Sequence, residues 1–270
     1  MGQIIEFPND KKSKDKIRKL KKTLENLVFK RDNLKYIICE NIKTEYMLIF
    51  GSLEYKIYKA YCKYLRLKRK KDMIHAKKNR QEKINMEVID RKLDLEFTEY
   101  KKKLNEKIDE INTALRRSKS EILSDDEKRL KKLYKSIVKK LHPDINLSIT
   151  NSEKELFYNA TEFYKNGDLK SLQIIFDIVC SEDVKDDIGL DGKPLEEEVI
   201  RLTDLVNLIK NDIELTKSMP PYTWSIYVED EKKKSERLSQ LEKDLKSFDD
   251  AVRTQEEYIN NLIRDEIWII

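Results

Sequence analysis

Residues Ser124 to Asp168 read SDDEKRLKKLYKSIVKKLHPDINLSITNSEKELFYNATEFYKNGD. Leu130, Leu133, Tyr134, Ile137 and Leu141 recur at three- and four-residue steps, so they share one face of a helix. Lys131, Lys132, Lys135 and Lys139 fall elsewhere and give that helix a cationic side. Ser124, with Glu127 three residues on, fits a capping box at its start. Pro143 marks its end, because the residue before a proline is pushed out of the α region. His142 thus stands at a helix C-terminus, where the dipole favours a protonated imidazole. From Ser152 to Asn166 the helical pattern returns in Leu156, Phe157, Ala160, Phe163 and Tyr164, and Asn166-Gly167 stops it. A further apolar run, Leu169, Leu172, Ile175, Phe176 and Val179, predicts an added helix over about 169–181.

The run Leu130-x-x-x-Tyr134-x-x-Ile137-Val138-x-Lys140-Leu141-His142-Pro143-Asp144 resembles helix II and the loop of a J-domain. Phe157-x-x-Ala160-x-x-Phe163-Tyr164 resembles its helix III. Taken alone, the tripeptide is ordinary helix-stop punctuation. The basic helix before it, Tyr134 and Leu141 at family spacing, and the aromatic helix after it are what set it apart. J-domain proteins are co-chaperones that stimulate ATP hydrolysis by DnaK-type heat-shock chaperones. The resemblance implies that His142, Pro143 and Asp144 form the stimulating loop. It implies that Lys131, Lys132, Lys135, Lys139 and Lys140 dock on the acidic chaperone surface. Tyr134, Ile137, Leu141, Phe157, Ala160 and Tyr164 would form the two-helix core. The family's helix I, with its aromatic-rich start, does not precede Ser124.

Outside this stretch the composition favours long helices. Charged residues make up 40% and hydrophobic ones 39%, while Gly and Pro number five each. Few breakers and many Lys, Glu and Leu suit narrow apolar seams better than one large globular core. The net charge of +5 is mild, because 56 basic residues face 51 acidic ones. It does not by itself demand nucleic acid. Cys39, Cys62 and Cys180 are odd in number and far apart, which points to a reduced, cytoplasmic setting. With two histidines, His75 and His142, a His-rich metal site is not expected. No secretory signal and no membrane-spanning run is legible.

Residues 1–12 read as an extended or disordered start. From Ser13, the residues Ile17, Leu20, Leu24, Leu27, Leu34 and Ile38 alternate three- and four-residue steps, interrupted at Arg31, as in a coiled-coil seam. This helix is expected to run to Phe50, with Gly51 as its C-cap and Ser52 as the next N-cap. No Gly or Pro follows from Leu53 until Pro143, so one helix is expected over roughly 52–119, spanning about 100 Å. The economical arrangement of 13–120 is an antiparallel hairpin. Helix 13–50 would fold along the first half of the long helix, and the second half would pack on the J-like domain, 121–182, in place of helix I. The whole is expected to be all-α and elongated.

Within the long helix, Arg66, Lys68, Arg69, Lys70, Lys71, Lys77, Lys78 and Arg80 follow tyrosines 55, 58, 61 and 64. Such interleaving can bind nucleic acid by phosphate contact and stacking. A solvated basic face beside an aromatic packing stripe is the preferred reading, because tyrosines at three-residue steps usually pack. An acidic linker, 183–193, ends in the turn signal Asp191-Gly192. Residues 194–270 read as a helical hairpin. Its first stripe is Leu195, Val199, Leu202, Leu205, Val206, Ile209 and Ile213. Its second is Leu238, Leu241, Leu245, Phe248, Val252, Ile259 and Leu262 in heptad alternation, with Pro220-Pro221 between them. The apolar tail Ile267 to Ile270 is expected to dock on something.

No Gly-rich phosphate loop, paired Cys/His ligand set or nucleophile elbow is present. Glu82, Asp90, Asp94 and Glu96 are expected to make surface ion pairs rather than to do acid–base work. The sequence therefore points away from an enzyme and from any cofactor. Three functions compete. One is a co-chaperone that targets a DnaK-type ATPase to a client through coiled coils. Another is a coiled-coil scaffold with a degenerate J-like module. The third is a nucleic-acid-associated protein. The seams also admit a second copy of the chain as partner. As a polar turn residue, His142 is expected to be exposed, so that its replacement barely changes stability.

Overall fold

The protein is described by a computed structural model that covers the backbone of residues 8–119, 124–180 and 195–267 and the side chains of 12–118, 125–179 and 195–264. Every regular element among them is helical, so the all-α class holds. The order is α1 (Pro8–Asn33), a π-helical turn (Leu34–Ile38), α2 (Cys39–Asn79), α3 (Met86–Glu96), α4 (Thr98–Lys119), α5 (Ser124–Leu141), α6 (Asn151–Asn166), α7 (Leu169–Cys180), α8 (Leu195–Ser218), a 3-10 turn (Tyr222–Trp224), α9 (Ser225–Glu229) and α10 (Glu231–Ile267). They divide into two compact units. The first comprises residues 1–41 and 121–223, the second 42–120 and 224–270. Of the expected extended start, 1–12, residues 8–12 are instead the first turn of α1 and the rest lies outside the described residues, as do the acidic linker, the last three residues of the apolar tail and the Ser124 side chain of the expected capping box.

In the first unit α1 packs on α8 and α5, and α5 packs on α6 and α7. The seam residues Ile17, Leu24 and Val28 of α1 are fully buried with Leu202, Val206, Ile209 and Ile213 of α8. Leu130, Leu133, Tyr134, Ile137, Val138 and Leu141 extend the same core, and Phe157, Ala160 and Tyr164 close it from α6. The α5 stripe is buried as spaced, whereas in the seam read from Ile17 to Ile38, Val28 joins the core unforeseen and Ile38 is exposed. Helix α6 begins with a capping box: Thr150 Oγ1 accepts from the Glu153 N–H, and Glu153 accepts from the Thr150 N–H at 2.7 Å. It ends at Gly167, whose φ of 70° is the left-handed conformation that a side chain resists. The Asp168 N–H then reaches the Phe163 carbonyl at 2.9 Å.

Three expectations of arrangement are corrected. Gly51-Ser52 does not end a helix; α2 runs through it. A mid-helix glycine costs only about 1 kcal/mol, and here it serves close approach, because a Cβ at Gly51 would lie 3.1 Å from Ile111 of α4. The chain turns instead at residues 80–85, without glycine or proline. Gln81 takes the left-handed conformation, φ 57°, and Asn85 caps α3 by accepting from the Val88 N–H at 3.1 Å. The hairpin is therefore α2 against α3 and α4, with a further break at Phe97.

Second, residues 86–119 belong to the second unit and the J-like stretch to the first. The helix packed beside α5 in the place expected of helix I is α1. Third, the C-terminal hairpin does not form as a unit. Helix α8 belongs to the first unit and α10 to the second. Trp224 anchors the crossing by stacking on Tyr46 at 4.4 Å.

In the second unit, Tyr46, Met47 and Phe50 of α2 cluster with Ala114 of α4 and Leu241 of α10. Further along α2, Ile74 clusters with Ile89 and Leu93 of α3 and Ile259 of α10. Helices α3 and α4 therefore run antiparallel to α2, and α10 runs parallel to it. The heptad seam of α10 is used here: Leu241, Val252 and Ile259 are buried within the unit.

Candidate functional site

The site is the end of α5 and the loop after it. Tyr134 stacks on Tyr164 with ring centroids 4.1 Å apart and planes 4° off parallel. Its hydroxyl donates to Asp32 Oδ2 at 2.8 Å, and Tyr164 donates to Asn33 Oδ1 at 3.1 Å. Asp32 is 2% exposed and accepts from Arg31 Nε at 2.8 Å. Burial, together with the Asp32 charge, holds the phenol of Tyr134 well above its ordinary pKa. The interruption of the α1 seam at Arg31 is thus a buried polar junction that ties α1 to α5 and α6.

The loop is wound tightly by its backbone. The His142 N–H still donates to Val138, and the Ile145 and Asn146 N–H groups both donate to the His142 carbonyl, at 3.0 and 2.9 Å. The Asn146 side-chain amide closes the end of α5 by donating to the Lys139 and Lys140 carbonyls. His142 is not exposed, as the sequence suggested, but 4% exposed. Its ring lies edge-on to Phe157 at 5.0 Å and 74°. Its Nδ1 accepts from the Asp144 N–H at 3.2 Å, which a neutral imidazole with its proton on Nε2 can do. Burial pushes the imidazole below its ordinary pKa; the Asp144 charge opposes this, Arg31 adds to it and Asp32 opposes it. The expected dipole-stabilised imidazolium is therefore corrected. Desolvation in the pocket outweighs the helix end.

The folded state prefers the neutral ring. That contribution to stability is fully present above the unfolded value of about 6.5 and is lost as the pH falls from there through the folded value. Urea unfolding should show wild-type stability declining between pH 7 and pH 5, with a shallower decline in His142→Gln. At pH 7 that variant should lose about 1–3 kcal/mol, since a buried partner is altered. An unchanged midpoint at pH 7 would mean that the ring is not held in this pocket.

Pro143 and Asp144 are half-buried at the apex. The Asp144 carboxylate accepts no hydrogen bond among the described residues, whereas its backbone carbonyl accepts from Arg201 Nη1 of α8 at 3.2 Å. Arg201 is itself held by Glu198, Nε to Oε2 at 2.8 Å and Nη2 to Oε1 at 2.7 Å. Glu198 is 4% exposed. Neither residue was singled out from the sequence, because 57 positions separate Arg201 from Asp144 and no local pattern connects them.

The five lysines expected to dock are not equivalent. Lys132, Lys135 and Lys139 are exposed. Lys131 pairs with Glu127 at 2.6 Å, and Lys140 donates to the Val179 carbonyl at 3.2 Å. Lys135 lies over the Phe29 ring at 5.7 Å. The free cationic face is thus narrower than the run of lysines implied.

The basic stretch of α2 is largely engaged within its own unit. Arg66 pairs with Asp94 at 3.0 Å, Arg69 with Glu96 at 2.9 Å, Lys70 with Asp90 at 2.9 Å and Lys77 with Glu82 at 3.0 Å. Lys78 donates to the Leu262 carbonyl. The four acidic residues make ion pairs, as read. Tyr61 packs edge-on to Phe248. Cys39 and Cys62 are buried free thiols. Among the described residues no group of His, Cys, Asp or Glu could hold a metal ion, and no helix is long and apolar enough to cross a membrane. No protein-family model matches the chain, and comparison with curated proteins and with solved structures finds no match.

Proposed function

We propose that the chain is a J-domain-type co-chaperone that stimulates ATP hydrolysis by a DnaK-type chaperone. The observation that carries this is the build of the His142-Pro143-Asp144 loop. A buried, neutral His142 braces the turn against Phe157, the Asp144 carboxylate accepts no hydrogen bond among the described residues, and the helix before it carries exposed Lys132 and Lys139. A loop that only stopped a helix would need neither the brace nor the free carboxylate. Exposed cations of this kind add little to stability, but they steer association with an acidic surface, an effect that fades with salt. The heptad seam of α10 is occupied within the second unit, so recruitment of a client falls to other surfaces.

The test is single-turnover ATP hydrolysis by a DnaK-type chaperone with and without the full chain. Wild type is expected to accelerate hydrolysis, Asp144→Asn to abolish the acceleration at unchanged circular dichroism, and Lys132→Glu/Lys139→Glu to slow association mainly at low salt. Absence of acceleration by wild type would remove the co-chaperone reading. Arg66, Arg69, Lys70 and Lys77, which nucleic-acid binding would draw on, pair with carboxylates within the second unit, which favours the co-chaperone reading.

A further inference from the structure

We infer that Glu198 and Arg201 of α8 are positioning residues for the loop, so that the stimulating element extends beyond the J-like helix pair into α8. This rests on the co-chaperone reading. The geometry is specific. Arg201 directs three donors in two directions, Nε and Nη2 to Glu198 and Nη1 to the Asp144 carbonyl. It grips the main chain of Asp144 and donates nothing to the carboxylate, which accepts no hydrogen bond among the described residues. From the other side His142 Nδ1 holds the Asp144 N–H. One peptide unit on each side of the Asp144 Cα is thereby fixed, which sets the direction of its side chain.

A buried carboxylate such as Glu198 is a poor source of stability. Replacing a buried pair by apolar groups of similar size is often neutral or favourable, whereas removing one partner alone is costly. The pair is better explained by orientation. A planar guanidinium held in a fork by Glu198 has little freedom left, so its remaining N–H is aimed at the carbonyl at small entropic cost. Leu202 of α8 and Leu141 of α5 belong to the same buried cluster of the first unit. Functional groups need such support, because small misplacement of a reacting constellation is expensive.

The experiment uses the full chain and a DnaK-type chaperone, with stimulation measured over a range of chain concentrations. The double variant Glu198→Gln/Arg201→Met leaves no buried charge unpaired. It is expected to lower maximal stimulation about tenfold, with half-saturation within about twofold of wild type and an unchanged urea midpoint. Amide exchange at Ile145 and Asn146 should quicken. Arg201→Lys keeps the partner charge for Glu198 but not the fork, and should fall in between; it carries the test alone if the double variant does not fold. Maximal stimulation equal to or above wild type in both variants would overturn the inference, the latter marking α8 as a brake. A loss only in proportion to unfolding would overturn it as well. If wild type itself does not stimulate, the co-chaperone reading fails first, and that result is distinct from a wild type that stimulates and a variant that matches it.

Discussion

Asp32→Ala is expected to lower the unfolding free energy of the first unit by about 3 kcal/mol. Asp32 is buried and accepts from both Arg31 and the Tyr134 hydroxyl. Alanine would leave that hydroxyl with Thr161 at 3.2 Å as its remaining neighbour. Exchanging a hydrogen bond to a buried carboxylate for this longer one to a hydroxyl costs about 1–3 kcal/mol. The Arg31 guanidinium, its side chain 21% exposed, would lose its counter-charge. Asp32→Asn keeps an acceptor and should cost less. Tyr134→Phe alone should be milder still, and in the double-mutant cycle the two changes should couple by about 1–2 kcal/mol. Denaturant unfolding with amide exchange in α5 and α6 reads the effect. A loss under 1 kcal/mol for Asp32→Ala would show that the junction does not hold α1 to the helix pair.

Phe50→Ala should weaken the second unit by about 3–5 kcal/mol, the usual range for a buried aromatic. Phe50 is fully buried, tilted against Tyr46 at 4.7 Å and edge-on to Tyr227 at 6.5 Å. Because Tyr46 also stacks on Trp224, the cavity would loosen a whole aromatic cluster, and near-ultraviolet circular dichroism should lose intensity with the shift in unfolding midpoint. The stiff rings limit collapse into the space. A cost below about 1.5 kcal/mol would instead mean that the neighbours refill it.

The helical class and the α5–loop–α6 bounds were legible because apolar spacing, Pro143 and Gly167 are local signals. The hairpin turn was not. Gly51 looked like a stop, yet its missing Cβ answers to Ile111, a contact 60 residues away; the real turn rests on Gln81 and Asn85, neither of which is rare in helices. The partners of α1 and α8 were illegible for a related reason: apolar seams of like spacing are interchangeable from sequence alone, and tertiary packing chooses among them. At the site, the tripeptide and its basic helix could be read. The burial of His142 could not, because it depends on Phe157 of α6 covering a residue whose type usually faces water. The grip of Arg201 is equally non-local.

The first unit is assembled from two separated stretches of chain, which sets an order of events during synthesis. Ile17, Leu24 and Val28 leave the ribosome with nothing to cover them. Their α8 complement, Leu202 to Ile213, follows roughly 180 residues later, on the order of ten to forty seconds at about 5–20 residues per second. Until α5 and then α8 emerge, the nascent chain presents an incompletely covered apolar stripe flanked by lysines. The loop that would stimulate a chaperone is completed only after this vulnerable period has ended, because Glu198 and Arg201 emerge with α8. A nascent chain of this design thus passes through a stage in which its apolar seam is made before the helix that completes its burial.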